Sequence, residues 1–317
     1  MSLKKQLKKI DFNKYGPLFA LVVLFVISSI ASPYFLKPRN LTNIMRQISY
    51  TGIIALGMTF VITSGGIDLS VGSMTGLVGG LTLITLNNFG GGFFAIIFTV
   101  IIGLGYGFLA GAFNGLVITR GKVAPFIVTL GTMSIFRSLI LFTADAGEIT
   151  TQSMFFNKIG QGYFLGIPIP VWIFIGLAVI FHIILNHTSF GRYISAVGSN
   201  ERVAKYAAIK VKNIRFWAYT INGLVVAISS FLLASRLNAV SSSNMGSGFE
   251  LDAIAAVIIG GTSMSGGKGT IVGTVLGAII LGIVSNMLNM LGVSPYLQGT
   301  VKGLVIISAV LIQRGSS

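Results

Sequence analysis

The chain has 317 residues, 53% of them hydrophobic and only 9% charged, with a mean hydropathy of +0.88. Soluble domains carry charge at about a quarter of their positions, so this composition excludes an ordinary soluble fold and points to a polytopic membrane protein. The net charge of +15 does not signal nucleic acid, because most of the excess lies in short loops between apolar spans, and the lack of cysteine excludes disulfides and thiolate chemistry.

Five lysines (Lys4, Lys5, Lys8, Lys9, Lys14) precede an apolar run from Pro17 to Ala31, which reads as an uncleaved first helix because many further spans follow. Ten spans are expected, near 16–32, 43–64, 70–88, 92–118, 123–143, 169–186, 214–235, 251–265, 270–291 and 298–313. The expected class is therefore an all-α membrane protein in one transmembrane domain, several of its helices short or broken by glycine. An even count puts both termini on one side. Placing that side in the cytoplasm puts fifteen of the 22 basic residues there, including Arg120, Lys122, the six from Arg192 to Arg215, Lys268 and Arg314. Lys37, Arg39 and Arg46 run against this bias.

The stretch TSGGIDLSVGS at 63–73 interrupts a long apolar run, and GGTSMSGGKGT at 260–270 does the same near the C-terminus. Irregular backbone at membrane depth is tolerated only against protein or a watery cavity, and transporters place such breaks around a pathway. Glycines recur every fourth residue at Gly103, Gly107, Gly111 and Gly115, at Gly72, Gly76 and Gly80, and at Gly273 and Gly277. That spacing lines one helical face with small residues, which favours close helix packing over a pathway wall. Between spans, 144–168 is an outward loop and 187–213 a cytoplasmic one; neither holds a separate domain.

The 260–270 stretch invites comparison with a phosphate-binding loop, G-x-x-x-x-G-K-[ST]. Counting back from Lys268 puts Thr262 where the first glycine belongs, and Gly269 replaces the hydroxyl residue. The chain has no ATPase site of its own on this count, and Lys268 reads as a charge on a cytoplasmic turn. His182 and His187 are too few for a metal site, and no catalytic set appears.

Within 199–211, SNERVAKYAAIKV has capping residues, Glu201 in its first turn and lysines toward its end, which predicts a short helix. Val203, Tyr206, Ala207 and Ile209 give it a partly apolar face, suited to a groove on another protein or to the lipid surface. Asp68, Glu250 and Asp252 are either proton or cation relays or helix-start caps; capping is the better reading. Arg137 either pairs with one of them or reaches to the outer interface. Gln47, Thr59, Asp68, Asn114, Asn286 and Asn289 are the candidate pathway groups for a hydroxyl-rich solute, with bonding between helices the alternative for each neutral one.

Taken together, VITSGGIDLSVGSMTGL, TSFGRYISAVGSN, GFELDAIAAVIIGGTSMSGGKGTIVGTVLGAIILGIVSNMLNMLGV and VKGLVIISAVLI resemble the permease subunit of bacterial ribose ATP-binding-cassette transporters. The similarity runs in order through nearly the whole chain and thins over the first thirty residues and in 144–168. The resemblance implies a multi-pass protein of the bacterial inner membrane, paired with a second permease copy and surrounded by lipid. It implies two cytoplasmic ATPase subunits and an extracytoplasmic sugar-binding protein, for which 144–168 is a contact, and no cofactor. It also matches 200–210 to the coupling helix that receives ATP-driven motion, with Asn200, Glu201, Arg202, Lys205 and Tyr206 as its residues. The EAA-type loop signature of other importers is absent. The rival readings are an ion-coupled secondary sugar transporter using Asp68, Glu250 or Asp252, and a non-transporting membrane scaffold.

Overall fold

The computed structural model describes residues 12–294, 297–304 and 307, with side chains from residue 16 onward. Lys4, Lys5, Lys8, Lys9, Arg314 and half of the expected 298–313 span lie outside the described residues. Helices dominate: α1 (Phe12–Ala31), α2 (Pro38–Thr63), α3 (Val71–Asn88), α4 (Phe93–Gly121), α5 (Pro125–Thr143), α6 (Met154–Gln161), α7 (Ile169–His187), α8 (Ser189–Ser199), α9 (Glu201–Tyr206), α10 (Val211–Leu237), α11 (Phe249–Ile259) and α12 (Ile271–Met290). Residues 297–304 are also helical. Among the described residues six helices, α2, α4, α5, α7, α10 and α12, are long and apolar enough to cross a membrane.

Local chemistry sets several boundaries. Proline occupies the first turn of α2, α5 and α7, where its missing N–H loses no bond. Side-chain oxygens of Ser153, Thr188, Asn200 and Thr270 accept first-turn amides of α6, α8, α9 and α12. The expected 251–265 span is shorter than read, because α11 ends at Ile259 on Gly260, and Gly261 turns the chain with φ 86°. At 1.5 Å per residue its 11 residues reach only about 17 Å, against roughly 30 Å of hydrocarbon.

The α10 helix packs against α4, α2 and α3 and forms the middle of the bundle with them. The glycine ladders serve that packing. A Cβ at Gly107, Gly111 or Gly115 would strike backbone carbonyls of Gly223, Tyr219 or Phe216 in α10, and one at Gly277 would strike that of Ala256. Backbone meets backbone there, as the small-residue rule requires. α2 is largely buried, whereas α4, α5 and α7 turn apolar side chains such as Phe94, Phe126, Phe142 and Ile180 outward. Such a surface suits lipid.

The expected purely helical character needs one correction. Two small antiparallel ladders lie in the connections, β1 (Glu148–Thr150) with β4 (Ala239–Ser241), and β2 (Tyr163–Phe164) with β3 (Ile167–Pro168). They satisfy backbone groups in loops too long for simple turns. With α6 they order 144–168. Asn87 and Ser153 tie this loop to the end of α3 through bonds to the carbonyls of Thr150 and Gly91. These connections gather at one end of the bundle, and 64–70, 187–211 and 260–270 gather at the other.

Candidate functional site

At that second end, α9 is built as its sequence demands but shorter. Asn200 Oδ1 accepts the amides of Arg202 and Val203 at 3.0 and 3.1 Å. The predicted helix over 199–211 stops at Tyr206, because the chain turns through Ala208 at φ 58°. Glu201 holds Lys205 Nζ at 2.6 Å and Arg215 NH1 at 2.7 Å. The hydrogen bond from Lys205 draws the Glu201 carboxyl below its ordinary range; partial burial opposes this and the charge of Arg215 supports it. Ala204 seats the helix against Val197 and Val211. Val203 and Tyr206 point away, Tyr206 being 91% exposed, and with Arg202 and Lys205 they form an unpartnered apolar and basic face.

Beneath α9 three segments meet through glycine. Gly267 N–H donates to Thr63 O at 2.9 Å. A Cβ on Gly198 would strike that same carbonyl, and one on Gly267 would strike Ser199. Gly266 and Gly267, at φ 84° and 82°, take the left-handed backbone that glycine adopts without strain. The 260–270 turn closes on itself, Ser263 N–H donating to Lys268 O at 3.0 Å. The Gly267 amide that a phosphate would need is already taken, in agreement with the sequence count. Arg215 Nε adds a 3.4 Å bond to Ser64 O, tying α9 and α10 to the end of α2.

Three of the pathway candidates lie deep in the bundle. Asp68 is fully buried; its Oδ1 accepts from Ser70 N and Oγ at 3.0 and 2.6 Å, and its Oδ2 accepts from Asn222 Nδ2 at 2.9 Å. Asn114 Nδ2 donates to Ser70 Oγ at 2.9 Å, so the break at 64–70 is locked to α4 and α10. Among the described residues no cation forms an ion pair with Asp68. Thr59 is also buried, 2.8 Å from Thr274 Oγ1 across α2 and α12. Asn286 exchanges two amide bonds with Asn40, at 2.8 and 3.2 Å, and exposed Asn289 accepts from Gln298.

Gln47 lies elsewhere, in a small groove of about 10 Å³ shared by α2, α11 and α12, lined by polar Thr51, Asp252 and Ser285 and by apolar Ala256, Ala278, Leu281 and Gly282. Asp252 is bonded there to Lys302 Nζ at 2.9 Å. Sequence reasoning missed Thr51 and Ser285 as groove residues. The signal was available in the i, i+4 pair Gln47/Thr51 and the i, i+3 pair Gly282/Ser285, which put small or polar groups on one face of each helix. Glu250 and Asp252 do sit in the first turn of α11. Arg137 makes no ion pair among the described residues. It donates instead to the carbonyls of Ser242 and Met245 at 2.7 and 3.1 Å, pinning α5 to the loop before α11. Arg46, one of the basic residues against the charge bias, is held by Gln161 O at 2.7 Å and by the ring of Tyr163. A larger groove of about 790 Å³ between α1, α2, α7 and α12 is lined by Leu21, Phe25, Phe35, Ile48, Phe174 and Ile279, and offers a hydroxylated solute almost no hydrogen bond.

Residues 40–310 match the family described as branched-chain amino acid transport system / permease component. The ribose import permease protein of Bacillus subtilis is 44% identical over 99% of this chain and 98% of its own length. That of Escherichia coli K12 is 40% identical over 93% of this chain and 92% of its own, and the L-arabinose transport system permease protein of the same organism is 36% identical over 96% and 91%. No solved structure matches. The chain belongs to this family of transport-system permease components.

Proposed function

We propose, from that membership, that the chain is the membrane-spanning permease subunit of an ATP-binding-cassette importer and that its cargo is ribose. The observation that carries the proposal is the 44% identity to a ribose import permease across 99% of the chain. A cytoplasmic ATPase and an extracytoplasmic sugar-binding protein complete such a machine. Ten spans with both termini in the cytoplasm fit the charge distribution. Among the described residues, the end bearing α9 holds Arg120, Lys122, Arg192, Arg202, Lys205, Lys210, Lys212, Arg215 and Lys268 against Glu201 and the buried Asp68.

In this reading α9 is the coupling helix. Asn200 caps it, Glu201 locks it to Arg215, and Arg202, Lys205 and Tyr206 meet the ATPase. Two copies face each other across α2, α11 and α12. The sugar passes along the groove of Gln47, Thr51, Asp252 and Ser285, whose amide, hydroxyl and carboxylate groups suit sugar hydroxyls. Thr59, Asp68, Asn114 and Asn286 bond helix to helix and serve as scaffold. Two of the three carriers of the ion-coupled alternative are engaged, Asp68 through hydrogen bonds to both of its oxygens and Asp252 through its pair with Lys302.

The test is uptake into proteoliposomes holding permease, ATPase and binding protein. ATP-dependent entry of labelled ribose is expected to exceed that of arabinose and xylose, and Gln47→Leu is expected to lower uptake at unchanged ATPase association. Entry driven by a proton gradient without ATP would refute the importer reading; full uptake by Gln47→Leu would refute the pathway assignment alone.

A further inference from the structure

Beside α9 a second cleft opens, of about 490 Å³, between the end of α4, the start of α5 and the start of α10. Its wall carries Lys122, Lys205, Lys212 and Arg215 against the single carboxylate of Glu201. Glu201 is already shared by Lys205 and Arg215. Lys122 and Lys212 form no ion pair among the described residues, and both are exposed. Four cations lining the cleft with one carboxylate leave an uncompensated positive field in a concave site, which concentrates anions.

The other wall decides which anion. It is made of Ile118, Val123, Ala124 and Pro125. The surface continues onto the outward apolar side chains of Leu116, Phe126, Ile127 and Leu130 on α4 and α5. A free phosphate or an acidic side chain would use the cations and leave that strip unused. An anionic phospholipid uses both, with its phosphate among the lysines and its acyl chains along the strip.

We propose that this cleft is a binding site for an anionic phospholipid of the inner leaflet, its phosphate held by Lys122 and Lys212 with Arg215 behind them. The site adjoins the ion pairs that hold α9, so the lipid phosphate competes with Glu201 for Arg215 and bears on how firmly α9 is seated. The site is independent of which sugar the protein carries.

Retention of phosphatidylglycerol over phosphatidylcholine by the full-length chain, counted by native mass spectrometry from equimolar mixed micelles, is the test. A basic residue near an anionic surface contributes about a fivefold preference, so the double variant Lys122→Asn/Lys212→Gln is expected to lose about thirtyfold. Asparagine is chosen at 122 because that residue has φ 57°, which asparagine tolerates. Lys158→Gln, which removes a charge at the opposite end, is expected to retain wild-type preference, and inorganic phosphate is expected not to displace the lipid. Equal retention by wild type and the double variant, an equal loss in Lys158→Gln, or displacement by inorganic phosphate would each overturn the proposal. So would a double variant that keeps its lipid but loses ATPase association, since the cleft would then be a protein contact.

Discussion

Replacing Asp68 separates a structural carboxylate from a proton carrier, because the two roles respond oppositely to alanine and asparagine. In Asp68→Ala the amide of Ser70 and Nδ2 of Asn222 both lose their acceptor inside the bundle, where Asp68, Ser70 and Asn222 are all fully buried. A buried donor left unpaired costs about 1–3 kcal/mol, and the vacated volume adds to this, so a loss of about 3–5 kcal/mol is expected. Asp68→Asn keeps one oxygen for Ser70. Its new amide faces Asn222, whose Oδ1 has no partner and which regains a bond by turning its side chain over. The asparagine variant is therefore expected within about 1 kcal/mol of wild type by the net worth of one hydrogen bond.

Unfolding of the purified chain in mixed micelles under rising denaturing detergent measures both variants, with ATP-driven ribose uptake by the reconstituted complex as the second readout. Asp68→Asn is expected to keep stability and uptake together, and Asp68→Ala to lose both. An alanine variant as stable as wild type would remove the scaffold role. An asparagine variant that is stable yet inactive would restore the proton-carrier reading.

Two further outcomes follow from the cytoplasmic end. Gly198→Ala puts a Cβ against the Thr63 carbonyl and the Gly267 amide, both backbone atoms that cannot move aside; uptake is expected to fall at least tenfold with the chain still inserted, and wild-type uptake would show that the three segments need not touch. Glu201 titrates below the ordinary carboxylate range, so its contribution to seating α9 is present above that range and is lost only as pH falls through the lowered value. A fluorophore on Tyr206→Cys, the only thiol in a chain without cysteine, is expected to report a constant environment from pH 6 to 8 and a release at acid pH, and Glu201→Gln to show the released signal throughout; a transition near neutral pH would refute the assignment.

What the sequence made legible was local or periodic. Glycines four apart declared a packed face, and that face is where α4 meets α10 at Gly107, Gly111 and Gly115. The Lys268 count disposed of a phosphate loop, whereas the start of α2 at Pro38 lies five residues before the expected span. What escaped depended on distant partners. Nothing near Glu148 names Ser241 as its strand neighbour, and nothing near Arg137 names the carbonyls of Ser242 and Met245. The candidate polar residues were chosen for lying inside spans, which cannot distinguish a group facing a groove, such as Gln47, from one sealed between helices, such as Thr59 or Asn114. The end of α9 was missed because Ala208 adopts a left-handed turn that alanine rarely takes.

The same geometry explains how motion imposed on α9 would reach the groove. A contact between flexible side chains absorbs a small displacement by changing rotamers. The contacts of Gly198 with Thr63 and of Gly267 with Ser199 are backbone against neighbour with no side chain of the glycine between them, so they transmit it. Arg215 adds a second link, from Glu201 in α9 to the carbonyl of Ser64. Both links end at the C-terminal end of α2, and the same helix carries Thr51 and Gln47 in the groove, about 18 and 24 Å away at 1.5 Å per residue. A continuous, buried helix moves as a rod over that distance. A push on α9 therefore arrives at the groove as a tilt or shift of α2, and Asp68, Asn114 and Asn222 keep the break at 64–70 from dissipating it.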